Sequence, residues 1–216
     1  MKDIVKKRIE DIFKILQEIG NFCLYKKEQD HNSLELISDN LNSTMSLLSL
    51  YYDYYDELKF INQTSDDQNI YTEIGYQVLN QTKFVYINVL SSIEFKIKTI
   101  ILESGDSPLK KYLQTQKPHN RKLRKILKES NNNSVIPLIS ESELKEWEFF
   151  LDIRNSFVHN NAILNKKLSA DIYGQTYNFE ENHSMSGSIK TFAIFTKRVV
   201  EIYFNWVQNY YNTLKK

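Results

Sequence analysis

The sequence has little of several residue types that other fold classes need. Its 216 residues include one cysteine, three prolines and five glycines. A single cysteine excludes an intramolecular disulfide framework and suits the reducing cytoplasm. So few glycines and prolines leave few turn signals, which favours long helices over many short strands. The five glycines are scattered and form no glycine-rich phosphate loop.

Net charge and long apolar runs are also missing. The formal charge is +1, so any surface that attracts nucleic acid or an acidic membrane must be local. No apolar run reaches the length of about 18 residues that a membrane span needs, so no membrane contact is expected. The histidines at positions 31, 119, 159 and 183 are far apart and, with Cys23, give no zinc-ligand spacing. We therefore expect neither a bound metal nor a cofactor.

Apolar residues recur at helical spacing through most of the chain. The pattern predicts helices over residues 4–25, 34–58, 70–102, 141–159 and 189–214. The helix at 70–102 is apolar on nearly all sides, so we expect it at the centre, buried on several sides. Aromatic and β-branched residues around Gly174 predict a small hairpin at about 170–183. The predicted fold class is all-α: a single helical domain over 1–216 with a β-hairpin insertion before the last helix.

The segment 151–160 carries the residues on which the functional interpretation depends. In a helix, Arg154 falls near the middle of an apolar face, where an arginine needs a partner. That face is formed by Leu144, Trp147, Phe150, Leu151, Phe157 and Val158. Asn155 and His159 are four residues apart and border this face, with Asp152 close to the same line. A structural interpretation is available: Arg154 pairs with a core carboxylate, and His159 ends a helix whose dipole favours a cation there.

The run Arg154-Asn155-Ser156-Phe157-Val158-His159 resembles the R-N-x-x-x-H signature of the HEPN superfamily (higher eukaryotes and prokaryotes nucleotide-binding domain). It closes an aromatic-rich helix in a helical chain, as it does in that family. The resemblance implies a HEPN-like helical bundle and a metal-independent endoribonuclease. It also implies a homodimer in which two copies of the motif line a shared cleft. The family's biology implies toxin–antitoxin or anti-phage defence, with a cognate antitoxin or defence-system protein as a partner.

Cleavage of RNA without a metal makes three chemical demands. The 2′-hydroxyl must lose a proton, the phosphorane needs its charge neutralised, and the leaving 5′-oxygen must gain a proton. Imidazole titrates near neutral pH, so His159 is predicted to be the general acid/base. A guanidinium can donate two parallel hydrogen bonds to a phosphate, so Arg154 is predicted to clamp it. Asn155 is predicted to orient these groups or to contact the phosphate. The expected products are a 2′,3′-cyclic phosphate and a 5′-hydroxyl.

Two carboxylates and one basic segment are predicted to support the site. Glu94 lies on or beside the apolar face of its helix and needs a partner, either Lys98 one turn later or Arg154 across a helix contact. Asp152 is the second supporting carboxylate. The basic segment, residues 108–130, either forms an ordinary solvated face or contacts the RNA backbone. Its cations are Lys110, Lys111, Lys117, Arg121, Lys122, Arg124, Lys125 and Lys128.

Other functions fit the same residues. In one, the chain is a non-catalytic helical module whose Arg154 and His159 contact a nucleotide, RNA or a protein partner. In another, it is a structural subunit of a larger complex. Toxicity on expression, relieved by His159→Ala, would distinguish the nuclease from both.

Overall fold

A computed structural model describes the chain in eight stretches and four single positions. It covers residues 7, 10–11, 13–21, 39, 42, 67–104, 107–115, 123–132, 134, 137–160, 162–185 and 189–214. Most of these residues are helical. The elements are α1 (13–21), α2 (Asp67–Glu103), α3 (Pro108–Thr115), α4 (Leu123–Asn132), α5 (Glu141–His159), β1 (Leu168–Ile172), β2 (Gln175–Phe179) and α6 (Ile189–Leu214).

The prediction of a mostly helical chain with a hairpin before the last helix is confirmed. The helices predicted at 70–102, 141–159 and 189–214 correspond to α2, α5 and α6. Those residues of the predicted helix 4–25 that the structure describes are helical. The helix predicted at 34–58 lies outside the described residues except at positions 39 and 42.

The chain divides into two compact units. The first comprises Met1–Val89 and Gly187–Lys197, and the second Leu90–Ser186 and Arg198–Lys216. In the first unit, the Tyr86 ring of α2 lies 6.0 Å from Phe192 and 6.3 Å from Phe195 of α6, measured between ring centroids. Other buried members of this core are Leu16, Ile19, Val85, Val89 and Ala193. The assignment of residues 1–216 to a single domain stays a prediction.

In the second unit, polar side chains attach α6 to its neighbours. Trp206 donates its indole N–H to the Ser130 hydroxyl in α4 at 3.1 Å and stacks on Tyr210 at 5.0 Å. The Tyr210 hydroxyl lies 2.6 Å from that of Ser104, directly after α2. The apolar residues that recur at helical spacing along α6 are buried, namely Phe192, Phe195, Val199, Ile202, Trp206, Val207 and Tyr210. The amphipathic pattern of the last helix therefore predicted its buried face correctly.

A capping box fixes the start of α5. The Ser140 hydroxyl accepts from the backbone N–H of Glu143 at 3.1 Å, and the Glu143 carboxylate accepts from the backbone N–H of Ser140 at 2.9 Å. These two bonds satisfy helix N-terminal donors that would otherwise lack partners. The helix then runs without interruption to His159.

The hairpin forms a two-stranded antiparallel sheet that packs on α5. Its register runs from the Leu168–Phe179 pair to the Ile172–Gln175 pair. The loop residues Tyr173 and Gly174 both have positive φ, 52° and 76°, as a type I′ turn requires. The sheet begins two residues before the predicted position 170, because Leu168 pairs with Phe179. The Phe179 ring lies 6.0 Å from the Phe149 ring of α5.

The outer face of α2 corrects one prediction. Phe84 and Phe95 are 59% and 61% exposed, so the helix is not buried on all its apolar sides. Hydrophobic residues on a helix show which faces could be covered, but a neighbouring element must be present to cover them. Within the described part of the chain, no helix is both long and apolar enough to cross a membrane.

Candidate functional site

The Arg154 side chain extends from α5 to α2. Its Nη2 lies 3.6 Å from Glu94 Oε2 and donates to the Ser91 hydroxyl at 3.3 Å. Its Nη1 donates to Asn155 Oδ1, also at 3.3 Å. The predicted approach of Glu94 and Arg154 is therefore confirmed. The Nε–H of Arg154 is buried and has no hydrogen-bond partner among the described residues.

Glu94 is shared between two cations. Its Oε1 lies 2.7 Å from Lys98 Nζ, and its Oε2 faces Arg154. Both partners proposed from the sequence are thus present, and the three side chains together carry one positive charge. Glu94 holds the guanidinium against α2 without neutralising the cluster. A net positive cluster at the protein surface suits an anion such as a phosphate.

Asn155 orients the arginine through its amide oxygen. Because Oδ1 accepts from Arg154, the amide NH₂ group is the part of Asn155 that could donate to a ligand. The amide is half-buried. This arrangement fits both roles predicted for Asn155, which were orientation of the guanidinium and contact with a phosphate.

His159 is the last residue of α5 and its imidazole is exposed. In the described part of the chain, the ring makes no hydrogen bond or ion pair. The backbone around it is well fixed, since the Ser156 carbonyl accepts from the N–H groups of both Asn160 and Ala162, at 3.0 and 2.9 Å. An exposed imidazole on a fixed backbone can exchange protons with a bound substrate and with water.

Asp152 has a partner that the sequence did not indicate. Its carboxylate lies 2.7 Å from Lys166 Nζ, in the loop that connects α5 to β1. Asp152 therefore holds this loop and adds a half-exposed ammonium group beside α5. The ion pair with Lys166 is what the structure shows of Asp152, and its supporting role in the site stays a prediction. The ion pair depends on how the chain turns after α5, which spacing within the helix does not reveal.

The last turn of α5 departs from the predicted apolar face. Leu144 and Phe157 are half-buried, and Val158 is 48% exposed. Trp147, Phe150 and Leu151 of the predicted face are buried, and the buried face also includes Glu146, Phe149, Ile153 and Ser156. Burial ends at Ser156, so the final turn lies at the surface and presents His159 to solvent.

A second arginine gives a useful contrast. Arg198 of α6 makes two hydrogen bonds to the Glu146 carboxylate, at 2.6 and 3.0 Å. It also lies 3.5 Å from Glu201 and 3.9 Å from Glu143. Glu146, followed by the other two carboxylates, raises the pKa of the Arg198 guanidinium above its usual range. This arginine is saturated by carboxylates, whereas Arg154 has one shared carboxylate at a longer distance.

The same network attaches the hairpin. Tyr173 donates its hydroxyl to Glu201 at 2.6 Å, and the Arg198 guanidinium lies over its ring at 5.9 Å. Burial of the hydroxyl, together with the Glu201 carboxylate, raises the pKa of Tyr173 well above its usual range. The network around Arg198 thus joins α5, α6 and the hairpin turn, and we assign it a structural role.

Comparison with protein-family models, curated proteins and solved structures found no match. The site is therefore interpreted from its own geometry. Within the described residues, no group of three or more histidine, cysteine or carboxylate side chains could hold a metal ion.

The basic segment forms two short helices, α3 and α4, in its described parts. Lys110 donates to the Ser104 carbonyl at 2.9 Å, so it completes the end of α2 instead of extending into solvent. Lys111, Lys125 and Lys128 are exposed. α4 packs against α5, so Lys125 and Lys128 lie on a helix that neighbours the motif helix. The remaining predicted cations, Lys117, Arg121, Lys122 and the Arg124 side chain, lie outside the described residues.

Proposed function

We propose that this chain is a metal-independent endoribonuclease of the HEPN type, acting in toxin–antitoxin or anti-phage defence. The observation that supports it best is the state of Arg154. Its guanidinium is held at 3.3 to 3.6 Å by two neutral groups, of Ser91 and Asn155, and by the Glu94 carboxylate that it shares with Lys98. A structural arginine such as Arg198 has its donors taken up by carboxylates.

The residues divide the chemistry among them. Arg154 binds the non-bridging oxygens and stabilises the charge that develops on the phosphorane. Asn155 orients the guanidinium, and its NH₂ group donates to the same phosphate. His159 transfers a proton in the step that opens the P–O5′ bond, leaving a 2′,3′-cyclic phosphate and a 5′-hydroxyl. Exposed lysines of the basic segment attract the RNA backbone.

Assembly and partner follow from the same resemblance. We propose a homodimer in which the two α5 helices face a shared cleft, and a cognate antitoxin or defence-system protein that restrains or triggers cleavage. Sedimentation of the purified chain at micromolar concentration tests the first part. A monomer at that concentration would contradict the shared cleft.

The test of the activity uses purified protein, single-stranded RNA and excess EDTA. We expect cleavage with cyclic-phosphate ends, and loss of about 10²- to 10⁴-fold in rate for His159→Ala. Val158→Ala is the matched control, because Val158 is exposed on the same turn and carries no chemistry. Arg154→Lys keeps the positive charge but loses the two parallel N–H donors of the guanidinium, so it should also slow cleavage. If the wild type binds RNA without cutting it, alone or with a partner, the non-catalytic binding module is the better description.

A further inference from the structure

We propose that His183 is a second proton-transfer residue of the same site, acting as the general base opposite His159. This inference rests on the proposed ribonuclease activity. Cleavage requires one group to take the 2′-proton and another to protonate the 5′-oxygen, and each copy of the motif supplies a single imidazole. Sequence separation gives no reason to connect positions 159 and 183, but the chain path after α5 does.

Backbone hydrogen bonds hold the His183 segment against the residues that leave α5. Met185 donates to the Ala162 carbonyl at 2.8 Å, and Asn182 donates to the Leu164 carbonyl at 2.9 Å. Ile163 and Ser184 form an antiparallel bridge between these bonds. Residues 182–185 are therefore anchored to 162–164, which begins three residues after His159.

The start of this path is fixed as well. Ile163 donates to the Asn160 carbonyl at 2.9 Å, which closes a turn directly after α5. A turn of this kind brings its end α-carbons within about 7 Å, and paired strands hold α-carbons about 5 Å apart. One further peptide step of about 3.8 Å separates His159 from Asn160, and another separates His183 from Ser184. Added together, these steps give an upper limit of ~20 Å between the α-carbons of His159 and His183. Two imidazoles that extend towards each other from such positions can reach a phosphodiester bound between them.

A backbone carbonyl fixes one nitrogen of the His183 imidazole. Its Nδ1 lies 2.9 Å from the Glu181 carbonyl oxygen. A carbonyl only accepts, so Nδ1 carries the hydrogen, and the neutral ring keeps its lone pair on Nε2. The ring is exposed, so that lone pair is available to a substrate. A base whose second nitrogen is held by a fixed acceptor is the arrangement that nucleophile activation requires.

The backbone of this region is left-handed at two points. Ala162 and Asn182 have φ values of 66° and 60°; asparagine adopts this conformation readily, whereas alanine seldom does. Strained positions of this kind persist only where the surrounding structure fixes them, and they concentrate at functional sites. One precedes the paired segment and the other directly precedes His183.

The proposed step is balanced in atoms and protons. His183 Nε2 takes the 2′-hydroxyl proton as the 2′-oxygen forms its bond to phosphorus. The P–O5′ bond breaks, and His159 protonates the leaving 5′-oxygen. After the step, His183 carries the extra proton and His159 has lost one. Proton exchange with water restores both rings, so no co-reactant is consumed.

The test compares ordinary RNA with RNA whose scissile 5′-oxygen is replaced by sulfur, using wild type, His183→Ala and His159→Ala. A thiolate leaves without protonation, so a missing general acid no longer limits the rate. On ordinary RNA, both variants should lose about 10²- to 10⁴-fold. On the sulfur substrate, we expect His159→Ala to regain most of the wild-type rate and His183→Ala to remain slow.

Controls separate catalysis from folding. Ser184→Ala changes an exposed neighbour in the same segment and should cleave normally. His183→Gln keeps a polar side chain and should be as slow as His183→Ala if proton transfer is what is lost. Added imidazole should partly restore either variant. If wild type cleaves and His183→Ala cleaves equally fast, the role of His183 is refuted while the ribonuclease stands. Wild type that does not cleave refutes both.

Discussion

The Glu94–Arg154 contact predicts a difference in stability between two substitutions on one helix. Glu94→Ala removes the carboxylate that serves both Arg154 and Lys98, whereas Lys98→Ala removes only the pair within α2. Breaking a fully buried pair costs about 3–5 kcal/mol, and exposed pairs are worth about 0–1 kcal/mol. The side chains of Arg154 and Glu94 are 21% and 23% exposed, and they stand 3.6 Å apart. An intermediate cost of about 1–2 kcal/mol follows for Glu94→Ala, since Arg154 keeps its bonds to Ser91 and Asn155.

Thermal unfolding measures this difference directly. In a chain of 216 residues, each kcal/mol shifts Tm by about 2–4 °C. Lys98→Ala should cost only about 0.3–0.5 kcal/mol, because it breaks a surface pair between residues four apart. Both substitutions introduce alanine into the same helix, so backbone propensity changes little between them. Equal Tm values for the two variants would show that Arg154 gains nothing from Glu94.

Three further predictions concern the supporting structure. Ser140→Ala should destabilise the chain by about 1 kcal/mol through loss of the N-cap of α5, while Ser142→Ala should not; denaturant unfolding compares them. Burial alone would raise the pKa of the Glu143 carboxyl, but hydrogen bonds from Ser140 and Asn205, with Arg198 nearby, hold that pKa below its usual range. Glu143 therefore stabilises the fold at pH values above the pKa that its carboxyl has in the unfolded chain. This stabilisation is lost as the pH falls through the lower pKa that the carboxyl has in the folded chain. Glu143→Gln keeps the cap but does not titrate, so its Tm should fall less on acidification. The double substitution Lys125→Glu and Lys128→Glu should weaken RNA binding and make the affinity less dependent on salt. Fluorescence anisotropy titrations at several salt concentrations measure both effects. If the affinity falls as steeply with salt in the variant as in the wild type, α4 does not contact RNA.

Local patterns in the sequence account for much of the fold. Apolar periodicity predicted α2, α5 and α6, because each buries one continuous face. Residues around Gly174 predicted the hairpin, whose turn needs positive φ at two successive positions. The Glu94–Arg154 contact was predictable because each charge lies on an apolar face and neither could be buried alone.

What could not be predicted depends on the path of the chain between elements. The reversal after α5 uses left-handed backbone at Ala162, a conformation that an alanine does not signal. The Asp152–Lys166 pair and the position of His183 both follow from that reversal. The exposure of Phe95 was missed for a different reason, since an apolar helix face does not reveal whether another element covers it.

The most direct test of the proposed activity is the single-turnover rate of RNA cleavage in EDTA at saturating protein, measured for wild type and His159→Ala. RNA affinity is measured in parallel with a substrate that carries a 2′-deoxy group at the cleaved position. We predict cyclic-phosphate products from wild type, a rate lower by about 10²- to 10⁴-fold in the variant, and nearly equal affinities. Equal cleavage rates for the two proteins, or no cleavage by wild type at full RNA occupancy, would contradict the assignment of His159 and with it the proposed ribonuclease.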